Sequence, residues 1–254
     1  MPPSEQRPPI KARTALRAGA GRGNAFTLIE LLTVIAIIAV LAALAVPAVN
    51  RAMGSARSAK GISNLRQIGQ LTVSYSADHG GLLPPQRDWS NMGGDPANFS
   101  FFQNYLRLSA DLPTVGQDFF ASSWLPEIFY DPTVRKGPEH PWGSFGVNDE
   151  IVLSVVNCNV IYGQPNGIPL LRINRPAHKV IVCSARDSPN SYWKSSWYFS
   201  GMGWVNTGAA YQGPSPDPRH GGRTASLFAD FHVELLNTDS MTRAERADYF
   251  LLDP

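Results

Sequence analysis

The sequence predicts an α+β protein: a long N-terminal helix, its first half transmembrane, packed on a small antiparallel β-sheet head with long loops. Three observations predict it. Leu31 to Val49 is a run of 19 residues without charge. Apolar residues then recur every three to four positions as far as Tyr75. Beyond Pro85, short apolar runs alternate with Gly, Pro, Asn and Asp. The first pattern has the length of a membrane-crossing helix. The second has the period of an amphipathic helix, and the third that of strands joined by turns. A chain of 254 residues, 43% hydrophobic and 17% charged, holds one medium domain with a real core.

The first 25 residues carry Arg7, Lys11, Arg13, Arg17 and Arg22 against Glu5, a charge of +4. The rest of the chain carries −2, so the overall +2 belongs to the leading segment. No basic surface suited to nucleic acid is indicated. The basic flank places residues 1–25 in the cytoplasm and the bulk of the chain across the membrane.

Three readings compete for the apolar run. A secretory signal peptide has a shorter apolar region and a small-residue cleavage site after it; Ala43-Leu44-Ala45 offers such a site, but the run is too long. A plain signal anchor explains length and flank and leaves Glu30 unexplained, although a carboxylate in a span reads as functional by default. The words AFTLIE before a long apolar run ending at Pro47 support the third reading. They resemble the N-terminal cleavage and methylation motif of type IV prepilins and type II secretion pseudopilins.

That resemblance implies cleavage by a prepilin peptidase between Ala25 and Phe26, and N-methylation of Phe26. The family usually has glycine before the cut; here it is Ala25, with Gly23 two residues further back. Glu30 falls at the fifth mature position, where the family places its glutamate. Cleavage would expose an ammonium at Phe26, and a carboxylate in the first helical turn suits the positive helix end. The resemblance further implies that Glu30 pairs with the amino terminus of a neighbouring subunit, where either charge alone would be costly. Pro47 lacks an amide donor and is expected to kink or loosen the helix locally.

Past Pro47, the positions Ala52, Ala56, Ala59, Ile62, Leu65, Ile68, Leu71 and Tyr75 continue the helical pattern. Asp78-His79-Gly80-Gly81 and Pro84-Pro85 end it. The expected helix runs from about Thr27 to Ala77. The words SNLRQIGQLTVSYSADHGGLLPP also resemble the segment that follows the helix in a large bacterial subgroup of prepilin-like proteins. The expected organisation is a leader at 1–25, a membrane or filament-core helix at 26–49, its amphipathic continuation at 50–78, and a β-rich head at 79–254.

In the head, candidate strands are Ile151–Val156, Asn159–Tyr162, Lys179–Cys183, Ala225–Ala229 and His232–Leu236. Residues 86–145 read as loop-rich. Near the C terminus, RHGGRTASLFADFHVELL resembles the H-x(9)-D-G motif of the same subgroup, with His220 and Asp230 matching and Phe231 in place of the final glycine. The stretch reads as a turn at Gly221-Gly222, a strand, a turn at Asp230-Phe231, and a second strand. An Asp-Gly pair suits a two-residue type I′ hairpin; phenylalanine does not, so another turn type or a longer loop is expected.

His220, Asp230 and His232 are residue types that bind zinc or a similar ion. Their placement around one turn favours a capping aspartate and hydrogen-bonded histidines, so no metal or other cofactor is expected. No G-x-S-x-G, H-E-x-x-H or phosphate-loop motif occurs, so no catalytic residues are assigned and no enzyme is expected. Trp193, Trp197 and Trp204 cluster in YWKSSWYFSGMGWVN and suit a core better than a sugar-stacking surface. Cys158 and Cys183 each lie in an apolar run; an exported head permits a disulfide between them, and two buried thiols is the equal alternative.

The combined expectation is a structural subunit of a pilus or secretion pseudopilus, inserted in the inner membrane with its head in the periplasm. Its expected partners are the peptidase, an inner-membrane assembly platform, and copies of itself or sibling pseudopilins in a helical filament. The alternative is an uncleaved, signal-anchored periplasmic protein whose head binds carbohydrate or a partner.

Overall fold

The computed structural model describes residues 27–85, 102–113, 125–134, 143–152, 168–188, 196 and 198–252. Two compact units are present, Met1–Val49 and Asn50–Pro254. Helix α1 (Leu28–Asp78) contributes to both and includes Pro47 in its interior. In the first unit its residues 28–49 are all solvent-exposed, among them Leu28, Ile35, Ile38 and Leu41. A helix apolar on every side has no stable place in water and requires lipid or other helices around it.

In the second unit α1 buries Gly61, Asn64, Leu65, Ile68, Gly69, Thr72, Tyr75 and Ser76. The three-to-four spacing is the expected one, but the buried face begins only at Gly61. Ala52, Ala56 and Ala59 are exposed, a correction to the face expected from their period. The helix ends in a left-handed cap: Gly80 and Gly81 have φ of 65° and 82°, and the Gly81 amide donates to the Ser76 carbonyl at 2.8 Å.

The head is built on a sheet of β1 (Phe145–Asn148), β2 (Val180–Arg186), β3 (Tyr198–Phe199), β4 (Ser215–Pro216), β5 (Thr224–Phe228) and β6 (Val233–Leu236). Its order is β3-β1-β2-β5-β6, with β4 paired to the end of β2. Pairing is antiparallel except between β1 and β3. Around the sheet stand α2 (Phe102–Ser109), α3 (Asp149–Val152), α4 (Gly201–Thr207) and α5 (Arg243–Phe250).

Two apolar clusters cover the two faces of the central strands. One joins Leu65 and Ile68 of α1 to Ile181, Val182, Ala225 and Leu227, together with Phe102, Phe129 and Phe145. The other joins Val180, Cys183 and Phe228 to Trp204 of α4 and Phe250 of α5. A register shift between Val180 and Val182 explains the split within β2. The extra residue of the bulge lets Ile181 and Val182 both join the α1 side, after which Cys183 returns to the other. Apolar burial on both faces makes β2 and β5 the centre of the head's core.

The α+β architecture is as expected, and β2, β5 and β6 fall on three of the candidate strands. Ile151 and Val152 belong instead to α3, where Asp149 accepts a bond from the Gly201 amide at 2.9 Å and Asn148 Oδ1 one from the Glu150 amide at 3.1 Å. The rest of that candidate strand, and Asn159–Tyr162, lie outside the described residues. The region expected to be loop-rich contains α2, which buries Phe102 and Leu106. Helix α5 was not expected; a capping box starts it, with Thr242 Oγ1 accepting from the Glu245 amide and Glu245 Oε2 accepting from the Thr242 amide at 2.7 Å.

Candidate functional site

The N-terminal motif and the head motif are the two candidate sites. At the first, Thr27 precedes α1 as its N-cap. The Thr27 amide and hydroxyl both donate to Glu30 Oε2, at 2.9 and 2.7 Å, and the Glu30 amide donates back to Thr27 Oγ1 at 3.3 Å. This is a capping box, and its signal is the T-x-x-E spacing. It fixes Glu30 in the first turn, where the helix end is positive. Only one carboxylate oxygen is used: Oε1 accepts no bond among the described residues. Ala25 and Phe26 lie outside the described residues.

At the second site, His220 and Asp230 do not share partners. His220 is 2% exposed and sits in a buried network. Its Nδ1 is 2.9 Å from Ser58 Oγ on α1, and its Nε2 is 2.9 Å from both Asp131 Oδ2 and Ser184 Oγ of β2. Ser184 Oγ also donates to Asp131 Oδ2 at 2.9 Å. The other Asp131 oxygen accepts from the Thr133 amide and hydroxyl at 2.9 and 2.6 Å. The Asp131 amide donates to Ser144 Oγ.

Burial works against ionisation of Asp131. The His220 hydrogen bond and charge, then the Arg219 charge and the Thr133 hydroxyl, outweigh it and bring the carboxyl down to about 2. The pair lies against α1 only because residue 61 is glycine. A Cβ there would stand 2.8 Å from His220 Cε1 and 3.2 Å from Asp131 Oδ1. Asn64, one turn on, donates through Nδ2 to the Tyr130 carbonyl at 3.1 Å. His220 thus ties the helix, the 130–133 segment and β2 at one point.

A serine, a histidine and an aspartate in contact invite comparison with a hydrolase. The arrangement lacks what that chemistry requires. Ser58 lies in mid-helix, its amide committed to α1, so no amide beside it is aimed at an oxyanion. The His220 and Asp131 side chains are both 0% exposed. The geometry is that of a clamp.

Asp230 lies on the β5–β6 hairpin, where its Oδ1 accepts from the His232 amide at 3.2 Å and is 2.5 Å from His232 Nδ1. The Phe231 amide donates to the Phe228 carbonyl at 2.9 Å, and Phe231 itself has φ of 70°. The loop is therefore a turn followed by a left-handed residue, the three-residue hairpin geometry, in agreement with the longer loop expected. Phe231 occupies the position that glycine suits. No cluster of three metal-binding side chains occurs among the described residues.

Trp204 is 4% exposed and packs edge-on to Phe250 at 4.8 Å, a core position; Trp193 and Trp197 lie outside the described residues. Cys183 is a buried free thiol in β2, its ionisation disfavoured by burial; Cys158 lies outside the described residues. Neither the Ser58–His220–Asp131 contact nor Ser184 carried a sequence signal, since Asp131 is 89 positions from His220.

Compared with protein families, residues 22–46 match the prokaryotic N-terminal methylation motif. No curated protein and no solved structure matches the chain. The chain thus carries a prepilin-type methylation motif at the head of a long apolar helix that leads into an α+β domain.

Proposed function

We propose that this protein is a subunit of a type IV pilus or type II secretion pseudopilus. In this reading a prepilin peptidase cuts it before Phe26 and methylates the new terminus. The inner membrane holds it first, with the head in the periplasm, and an assembly platform then moves it into a helical filament of itself or sibling subunits. The observation that carries this reading is the pairing of the methylation motif with residues 28–49 of α1, exposed and apolar on every side. Lipid and then a bundle of like helices satisfy that surface in turn.

Glu30 supports the reading in detail. Thr27 holds it through Oε2, leaving Oε1 for the ammonium of a neighbouring Phe26. The head contributes a surface rather than a reaction: its buried His220 clamp holds sheet to helix as the helix is drawn into a filament.

The experiment compares cells with and without a prepilin peptidase. Peptidase-dependent shortening of the chain is expected. Glu30→Ala should leave membrane insertion intact and abolish incorporation into filaments. Unaltered filaments with Glu30→Ala would reject the pairing role, and a chain of the same size in both strains would reject the reading.

A further inference from the structure

A cavity of about 680 Å³ opens in the head unit between the start of its helical part and the turn before β5. Arg51, Ser55 and Ser58 line it from α1, and Arg219, His220 and Arg223 from the opposite side. Among the described residues, no carboxylate lines it. Arg51 and Arg223 are exposed and make no ion pair among the described residues. The Arg219 side chain is only 9% exposed. Its Nε and Nη2 donate to Asp217 Oδ2 and Nη2 also to the Ala185 carbonyl. Its Nη1 is buried and has no partner among the described residues. Arg219 therefore brings positive charge to the cavity, while the unpaired Arg51 and Arg223 bring guanidinium groups that an anion can complete.

We propose that this cavity binds a phosphate group, and that its occupant is the headgroup of an anionic phospholipid. Arg51 and Ser55 supply donors from α1 and Arg223 from the opposite side, beside the positive charge of Arg219, which suits an oxyanion held between them. Ala59, Ile62 and Leu235 add an apolar wall, which a lipid uses and a free phosphate does not. Arg51 follows Val49 by two residues, about 3 Å of helix rise. A guanidinium so close in the chain to the apolar run attracts an anionic headgroup by charge. The choice of lipid as the source rests on the membrane reading above; the anion site does not.

The test uses the full-length protein in detergent, with native mass spectrometry as the readout. Wild type should retain phosphatidylglycerol in preference to phosphatidylcholine. Arg51→Gln and Arg223→Gln, both at exposed positions, should each lower retention by about tenfold or more with unchanged thermal unfolding. Undiminished retention in the double variant overturns the site. Dihexanoylphosphatidylglycerol, which needs no bilayer, probes the cavity even if the protein fails to float with vesicles; that failure would count against the membrane reading instead. Displacement of the lipid by millimolar inorganic phosphate would overturn the lipid as occupant.

Discussion

Replacing Gly61 with alanine tests the clamp directly. In an exposed helix this change is favourable by about 1 kcal/mol, because glycine loses more backbone freedom than alanine. Here the new Cβ would meet His220 Cε1 at 2.8 Å, against about 3.5–4.0 Å for carbon atoms in contact. The ring must withdraw, yet contacts at 2.9 Å to Ser58, Asp131 and Ser184 hold it in place. Overpacking costs about 1–3 kcal/mol, and loosening a hydrogen bond to a charged group about 1.5–3 kcal/mol. After the helix gain, a net loss of about 3 kcal/mol is expected. Gly69→Ala is the control. Its Cβ meets Leu227 Cδ1 at 3.0 Å, a methyl at the end of a flexible side chain, so its effect should stay within about 1 kcal/mol. Urea unfolding of the full-length protein in mild detergent, followed by tryptophan fluorescence, measures both. Gly61→Ala as stable as wild type, or more so, would refute the clamp.

Other expectations follow from the same structure. Asp131, depressed to about 2, contributes stability that is complete above its ordinary value of 3.8 and lost as pH falls through about 2. The contribution is about 2 kcal/mol, so Asp131→Asn should lower stability at neutral pH and flatten unfolding curves in that acid window. Asp149 behaves in the opposite sense: burial, and then the charge of Glu150, raise it to about 6. Its favourable contribution is complete below 3.8 and lost as pH rises through about 6. Asp149→Asn keeps the acceptor for Gly201 and should stabilise the protein at pH near 8, with no gain near pH 4, in paired thermal melts. At the hairpin, Phe231→Gly should exceed Phe231→Ala in stability by about 1 kcal/mol, because only glycine enters the left-handed region freely. Equal midpoints for the two variants would contradict the strain assigned to Phe231.

What could be read from the sequence was local. The apolar run, its flank and Glu30 lie within a few residues of one another, and so do the glycines that close α1. The strands β2, β5 and β6 carry apolar runs long enough to show. The strands β3 and β4, two residues each, have no period to detect; only their neighbours in the sheet define them. Ile151 and Val152 looked like strand residues by composition, but bonds at the start of α3, through Asn148 and Asp149, favour a helix there. The His220 network was hidden for a different reason. Ser58, Asp131, Ser184 and His220 come from four separate parts of the chain, and only the folded sheet and helix bring them together. The capping boxes of α1 and α5 stood in plain T-x-x-E spacing and were readable in principle.

Prepilin-type processing at the amino terminus is the step on which the rest of the proposed function depends. Mass spectrometry of the N-terminal peptide, from protein made in cells that carry a prepilin peptidase, tests this most directly. A mature chain beginning with N-methylated Phe26 is expected. An intact Met1, or a terminus near Ala45 after a signal-peptide cut, would contradict it.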